Sequence, residues 1–375
     1  MVRPGQVWVL VGTRPEVIKQ APVFLACREA LGADGVALIG TGQHRELLEQ
    51  ALDHFGLRLD ANLDVMRPGQ TPTAAAAAIL SGLEPLIVDA APSWMVVQGD
   101  TTSAAMAAWA AFNAGVRVAH NEAGLRSYDL QHPFPEEANR KLISVVADEH
   151  FVPTEHARRA LIAEGYRDEC VHVTGNTGID AFLMTLAKPA PPRVTELADR
   201  AEAAGRRVVL MTAHRRENRG AGMDEWFATL AEFLDEHAEL ELVYPLHPNR
   251  AAEPATRRHL QDHPRVRLVD PLDYDETCHL LSRSLFTITD SGGIQEEAAT
   301  LEIPVVVCRQ ATERPEAVDA GIAHLVGTHH DPLRDGLEWA LARARTHPRV
   351  DINPIFGDGH AGPRIATILG ERLAA

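Results

Sequence analysis

Leu285-Phe286-Thr287-Ile288-Thr289-Asp290-Ser291-Gly292-Gly293-Ile294-Gln295-Glu296-Glu297 is the stretch on which the fold class turns. A five-residue run, Leu285 to Thr289, has the apolar and β-branched content of a strand. It enters a Ser-Gly-Gly turn, and a helix-length segment, Ile294 to Leu301, follows. Ser291, Gly292 and Gly293 let backbone N–H groups and a helix dipole approach a phosphate. One turn further on, Glu296 or Glu297 is placed to accept from vicinal sugar hydroxyls. A Gly-rich helix cap with an acidic first turn has the same local pattern, so both readings stay open on this stretch alone.

The same strand-then-helix alternation extends outward in both directions. Apolar runs occur at Val7 to Val11, Val36 to Gly40, Trp94 to Gln98, Val116 to His120 and Val171 to Thr174. They resume at Val208 to Thr212, Leu240 to Pro245, Val266 to Val269 and Pro304 to Cys308. Most are continuously apolar, as parallel strands covered on both faces require. Helix-length segments lie between them: Arg14 to Leu31, Thr101 to Ala114, Pro135 to Ala147 and Met223 to His237. The pattern predicts an α/β protein with parallel sheets. The one Pro-dense stretch, Lys188 to Arg193, is the candidate domain junction. We expect two Rossmann-like domains, 1–185 and 186–357, with the C-terminal helix 358–375 packed back on the first. Strand carboxyl ends of both would face a cleft.

The chain has 375 residues and a formal net charge of −16, which gives no basic excess for a nucleic-acid partner. With 45% apolar and 23% charged residues it is neither disordered nor fibrous. Cys27, Cys170, Cys278 and Cys308 form no C-x-x-C pair, and the 18 His include no H-E-x-x-H. We therefore expect no disulfide framework and no metal site. The N-terminus lacks a signal-peptide pattern, and the apolar stretch Ala104 to Ala119 is interrupted by Asn113 and Arg117. These readings predict a cytoplasmic protein with no membrane association.

Other strand ends also carry chemistry. Gly12-Thr13-Arg14-Pro15-Glu16 puts Arg14 at a helix mouth, with Pro15 suited to the first turn; an ordinary turn with a solvated Arg fits equally. The G-x-G-x-x-G fingerprint is absent from this turn, against a dinucleotide dehydrogenase. Thr212-Ala213-His214-Arg215-Arg216-Glu217 and Glu313-Arg314-Pro315-Glu316 place a His and several Arg where a diphosphate is bound, although surface ion pairs are the common fate of such residues. Asp100, Glu122 and Glu136 end or follow runs in the first half. Asp100 also suits a helix cap, and Glu136 and Arg140 a helix-surface salt bridge. Three acids in one crevice would push their pKa values apart.

Taken in order, these blocks, with Gln43-His44-Arg45, Gly99-Asp100-Thr101-Thr102, Glu122-Ala123-Gly124-Leu125-Arg126, Pro135 to Arg140 and Thr174-Gly175-Asn176-Thr177, resemble the non-hydrolysing UDP-N-acetylglucosamine 2-epimerases from residue 7 to about residue 365. The resemblance implies a glycosyltransferase-B-like fold, UDP in the interdomain cleft, and a homodimer. It implies that Arg14, Lys19, His214, Ser291, Gly292, Gly293, Glu297 and Arg314 bind substrate and UDP, with Glu297 on the ribose. Asp100, Glu122, Glu136, Arg140 and His214 match the positions assigned to catalysis. Gln43, Gln70, Arg215 and His247 match a second UDP-GlcNAc site of activator type. Asn121 departs from the family, which usually has an apolar residue there.

The implied reaction interconverts UDP-GlcNAc and UDP-ManNAc and needs no cofactor. No carbonyl acidifies the hydrogen at C2 of the sugar, so direct deprotonation is implausible. If the C1–O bond to UDP breaks first or concertedly, a carboxylate can take that hydrogen and leave 2-acetamidoglucal. A glycosyltransferase, a hydrolysing epimerase releasing ManNAc, and a non-catalytic nucleotide-sugar sensor share parts of this pattern. The acidic cluster argues against the transferase, and the intact catalytic positions against the sensor.

Overall fold

The computed structural model describes residues 2–42, 45–65, 67, 69–213, 221–246, 253–347 and 349–374. Two compact units divide the chain: Met1–Ala181 with Phe356–Ala375, and Phe182–Ile355. The division falls inside the helix Thr177–Leu186, ahead of the Pro-dense stretch. That stretch lies in the second unit, where Pro192 opens the helix Pro192–Ala203.

The first unit is built on a seven-stranded parallel sheet. Its strands are β1 (Val7–Val11), β2 (Val36–Gly40), β3 (Ala61–Asn62), β4 (Trp94–Gln98), β5 (Arg117–Asn121), β6 (Glu149–Val152) and β7 (Val171–Val173). The spatial order is β3-β2-β1-β4-β5-β6-β7. Every residue of β1, β2 and β4 is buried, which is why these strands read as unbroken apolar runs. β1 pairs with both β2 and β4, so strand order reverses there. The loops after β1 and β4 open beside each other at that reversal, where open α/β sheets take ligands.

Small side chains bring helices close to this sheet. Ala104, Ala105, Ala107, Ala108 and Ala111 of the helix Thr102–Asn113 are all buried in the core shared with Trp8, Met95 and Val118. The helix Pro72–Ala90 is the described helix long and apolar enough to cross a membrane by length and composition. Its Ile79, Leu83 and Ile87 join the same core. The C-terminal helix Ala361–Ala374 lies against the helix Arg14–Leu31. A Cβ at Gly362 would stand 2.7 Å from the Pro22 carbonyl oxygen, so only glycine permits this approach. Asp180 Oδ1 accepts from the Gly362 N–H at 2.8 Å and anchors the start of that helix.

The second unit has six parallel strands in the order β10-β9-β8-β11-β12-β13. They are β8 (Arg207–Thr212), β9 (Leu240–Pro245), β10 (Val266–Val269), β11 (Thr287–Thr289), β12 (Val305–Val307) and β13 (Ala323–Leu325). Its core gathers Met211, Trp226, Phe227, Phe233, Leu242 and Phe286. Strand order reverses between β8 and β11, which pair directly.

Several element boundaries differ from the sequence expectations by a residue or two, and those at the strand ends near the site matter most. β11 begins at Thr287 rather than Leu285, and its helix, Gly292–Thr300, begins at Gly292 rather than Ile294. Ser291 is the N-cap, so both glycines sit within the first helical turn. β5 is displaced by one residue, to Arg117–Asn121, which brings Asn121 into the ladder opposite Gln98.

Candidate functional site

In the first unit, the loops after β1, β4 and β5 converge around carboxylates. Glu122 follows β5 directly and takes φ +62, a left-handed conformation that a non-glycine residue holds at a cost of about 1–3 kcal/mol. Its side chain is buried, with Lys19 Nζ donating to one carboxylate oxygen and Gln98 Nε2 to the other. An ammonium and an amide thus fix the carboxylate in one orientation. A Cβ on Gly99 would lie 3.6 Å from Glu122 Oε2, so this carboxylate rests against the residue preceding Asp100.

Asp100 is held from the helix Glu136–Val146. Arg140 Nε donates to Asp100 Oδ2 at 2.9 Å, with Arg140 Nη2 2.6 Å from the same oxygen. Arg140 also reaches Glu137, 3.2 Å away, whose side chain is fully buried and accepts from the Ser127 and Tyr128 N–H groups. The expected helix-surface pair of Glu136 with Arg140 therefore does not form: the guanidinium turns inward to Asp100 and Glu137. Glu136 stands half-buried in the first turn of that helix, and its side chain bonds to no described residue. Asn121, the last residue of β5 and the neighbour of Glu122, donates from Nδ2 to Thr177 Oγ1 at 3.0 Å and to Gln20 Oε1 at 3.4 Å.

Arg14 opens the helix Arg14–Leu31, half-buried, with its side chain bonded to no described residue. The turn before it is held by Glu16, which sequence reasoning quoted without giving it a role. Glu16 Oε2 accepts from the N–H groups of Gly12 at 3.0 Å and Thr13 at 2.7 Å, and Oε1 accepts from Thr101 Oγ1 at 2.7 Å. Burial pushes its pKa up, more than the Thr101, Thr13 and Gly12 hydrogen bonds draw it down. The signal for it was a glutamate three residues past Thr13, the spacing of a capping box.

In the second unit, Ser291, Gly292 and Gly293 follow β11 at a helix N-terminus. Thr289 Oγ1 accepts from the Ser291 N–H at 2.9 Å and meets Thr212 Oγ1 at 2.6 Å, tying the ends of β11 and β8. Arg314 lies directly over the glycine turn: a Cβ on Gly292 would stand 2.8 Å from Arg314 Cζ. Arg314 Nε donates to Glu296 Oε1 at 2.8 Å, and its Nη1 is 3.4 Å from Glu313. Burial pushes the Glu313 carboxyl up, but Arg309 and Arg314 outweigh it and hold it at about 2. The two adjacent acids thus divide: Glu296 orients Arg314, while Glu297 interacts with the buried Tyr274 phenol. The arrangement is a cation over a helix N-terminus stripped of side chains, suited to a phosphate.

Gln70 accepts from the Arg67 N–H at 3.1 Å within its own loop. Gln43, His214, Arg215 and His247 lie outside the described residues. No group of three or more His, Cys, Asp or Glu among the described residues is gathered as a metal site.

Two parallel α/β units of this kind make a glycosyltransferase-B-like fold. It recurs, at 14% identity and TM-score 0.65 over 99% of this chain and 100% of the other, in a solved structure described as the glycotransferase of kitacinnamycin. The family model described as UDP-N-acetylglucosamine 2-epimerase matches residues 29–370, and the chain belongs to that family. The UDP-N-acetylglucosamine 2-epimerase of Yersinia pestis is 39% identical over 369 residues, 97% of this chain and 98% of that protein. The crystal structure of UDP-GlcNAc 2-epimerase from Neisseria meningitidis bound to UDP-GlcNAc superposes with TM-score 0.86 at 36% identity. That alignment covers 98% of this chain and 100% of the other.

Proposed function

We propose that this protein interconverts UDP-GlcNAc and UDP-ManNAc without hydrolysis, through elimination of UDP to 2-acetamidoglucal and re-addition. The observation that carries this reading is Glu122, held at a strained φ by Lys19 and Gln98 beside the Asp100–Arg140 pair. Such strain persists only where the surroundings enforce it, and it clusters at functional sites.

The C1–O bond breaks with its electron pair going to UDP, and positive charge grows at C1. A carboxylate then removes the C2 proton, and the C–H electrons form the C1=C2 bond of the glycal. Arg14, His214, Arg314, Ser291 and the N–H groups of Gly292 and Gly293 stabilise the leaving diphosphate where its charge develops, while Glu297 holds the ribose. Asp100, Glu122 and Glu136 supply the base and the acid, with Arg140 aligning Asp100. UDP returns to C1 as a proton is delivered to the opposite face of C2. The sequence is redox-neutral overall and calls for no cofactor. A second UDP-GlcNAc at Gln43, Gln70, Arg215 and His247 acts as activator, and the enzyme works as a homodimer. The proposed setting of the enzyme is the cytoplasm.

Incubation with UDP-GlcNAc in heavy water, followed by NMR, tests this reading. Deuterium at C2 of intact UDP-GlcNAc and UDP-ManNAc is expected. Free ManNAc would instead establish a hydrolysing epimerase, and an unlabelled sugar would exclude both.

A further inference from the structure

The turn carrying Asp100 is gripped by side chains from outside it. The Asn121 carbonyl accepts from the Gly99 N–H at 3.0 Å, and the Gly99 carbonyl meets His120 Nε2 at 2.8 Å. The Asp100 carbonyl accepts from Asn139 Nδ2 at 2.8 Å, and the Thr101 hydroxyl donates to Glu16 at 2.7 Å. Three consecutive residues are thus held from β5 and from two helices, Arg14–Leu31 and Glu136–Val146. Gly99 itself has φ +67, so the peptide that follows it would otherwise be free to rotate.

His120 is the member of this set with no other evident use. It is fully buried, and Nδ1 has no hydrogen-bond partner. A carbonyl oxygen only accepts, so the Nε2 contact requires the proton on Nε2. Burial lowers the ring's pKa to about 3, against the opposing effect of the Gly99 hydrogen bond, so the ring is neutral and keeps that tautomer at neutral pH. A neutral histidine with one nitrogen idle is a costly way to fill a core. Its one polar contact fixes the plane of the Gly99–Asp100 peptide.

We infer that His120 is a positioning residue for Asp100, setting the carboxylate's direction through the Gly99 carbonyl, with Asn139 holding the next peptide. The inference rests on the proposed epimerase chemistry. It predicts a defect in turnover rather than in substrate binding, because a displaced reacting group costs rate far more than affinity.

The test compares His120→Phe, which keeps a ring but removes the donor, with His120→Gln, whose Nε2 reaches the same position. Asn139→Ala serves as an independent variant outside the core. Epimerisation kcat and KM, C2 exchange and thermal unfolding are measured for each. His120→Phe is expected to lose at least about tenfold in kcat with KM within about twofold, and His120→Gln to recover to within about threefold of wild type. Asn139→Ala should show the same kcat-selective loss, and it decides the matter if His120→Phe does not fold. Unchanged kcat in folded His120→Phe, or a defect that tracks stability and is not relieved by His120→Gln, overturns the inference. Absence of C2 exchange in the wild type would instead overturn the epimerase reading itself.

Discussion

Replacing Gly292 by alanine should separate ligand binding from folding. The added Cβ would lie 2.8 Å from Arg314 Cζ, 2.9 Å from Nη1 and 3.1 Å from Nε. Carbon contacts settle at about 3.5–4.0 Å, so the guanidinium must retreat by about 1 Å. That retreat stretches the 2.8 Å bond from Arg314 Nε to Glu296 and moves the cation off the helix N-terminus. The backbone does not object: Gly292 is absent from the positive-φ positions, and alanine in a helix is favoured over glycine by up to about 1 kcal/mol. That gain offsets part of what the stretched Arg314–Glu296 pair loses, so the variant should still fold with only a modest change in melting temperature. A charge-assisted contact contributes about 1.5–3 kcal/mol, so UDP affinity should fall about 10- to 150-fold. Gly293→Ala is the companion variant, because nothing lies within 4 Å of its Cβ position. Its stability should be unaffected, and any loss of UDP binding reports a phosphate against the backbone at that residue. Calorimetric titration with UDP and thermal unfolding make the measurements. Gly292→Ala binding UDP within twofold of wild type would refute the placement of Arg314 at the diphosphate.

Two further outcomes follow from the first unit. Glu122→Gln should retain UDP affinity and lose C2 exchange by at least about 100-fold, the scale of general acid–base catalysis; near-normal exchange in heavy water would remove Glu122 from the mechanism. Asp180 gives a stability signature: burial raises its pKa to about 6 despite the Gly362 and Ala361 N–H groups, and Oδ2 has no partner. The folded state holds a proton that the unfolded chain has already released between about pH 4 and pH 6. Stability therefore falls as pH rises through that window, by at most about 3 kcal/mol, and the deficit persists above it. Asp180→Asn never ionises, so urea unfolding should show it more stable than wild type at pH 7.5 and equal to it near pH 4. A wild-type excess at pH 7.5 would contradict the assignment.

The architecture was legible because buried parallel strands are written as unbroken apolar runs. β1, β2, β4, β9 and β10 begin and end where those runs do. β6 escaped notice for a physical reason: Glu149 and His150 are half of it, and both are buried. Glu149 is tolerated there because His172, 2.6 Å away, and Arg372, also at 2.6 Å, answer its charge. Arg372 comes from the far end of the chain, a partner no local pattern reveals. β3 and β13 are two- and three-residue edge strands, too short to carry a pattern. At the site, Asp100 and Glu122 stood out as acids at strand ends, whereas Arg140's turn toward Asp100 depends on Glu137, buried behind it. His120 read as part of a strand, since one carbonyl contact leaves no trace in spacing. Likewise, the local pattern left Glu296 and Glu297 open and the family resemblance implied Glu297 for the ribose, but the bond from Arg314 to Glu296 leaves no trace in spacing.

The most direct test of early glycosidic cleavage uses UDP-GlcNAc carrying oxygen-18 in the bridge between C1 and the β-phosphorus, followed by phosphorus NMR. If the C1–O bond breaks reversibly within the enzyme, the label spreads into the non-bridging β-phosphate oxygens about as fast as UDP-ManNAc appears, and Glu122→Gln suppresses both. Formation of UDP-ManNAc with the label still wholly in the bridge would contradict the account.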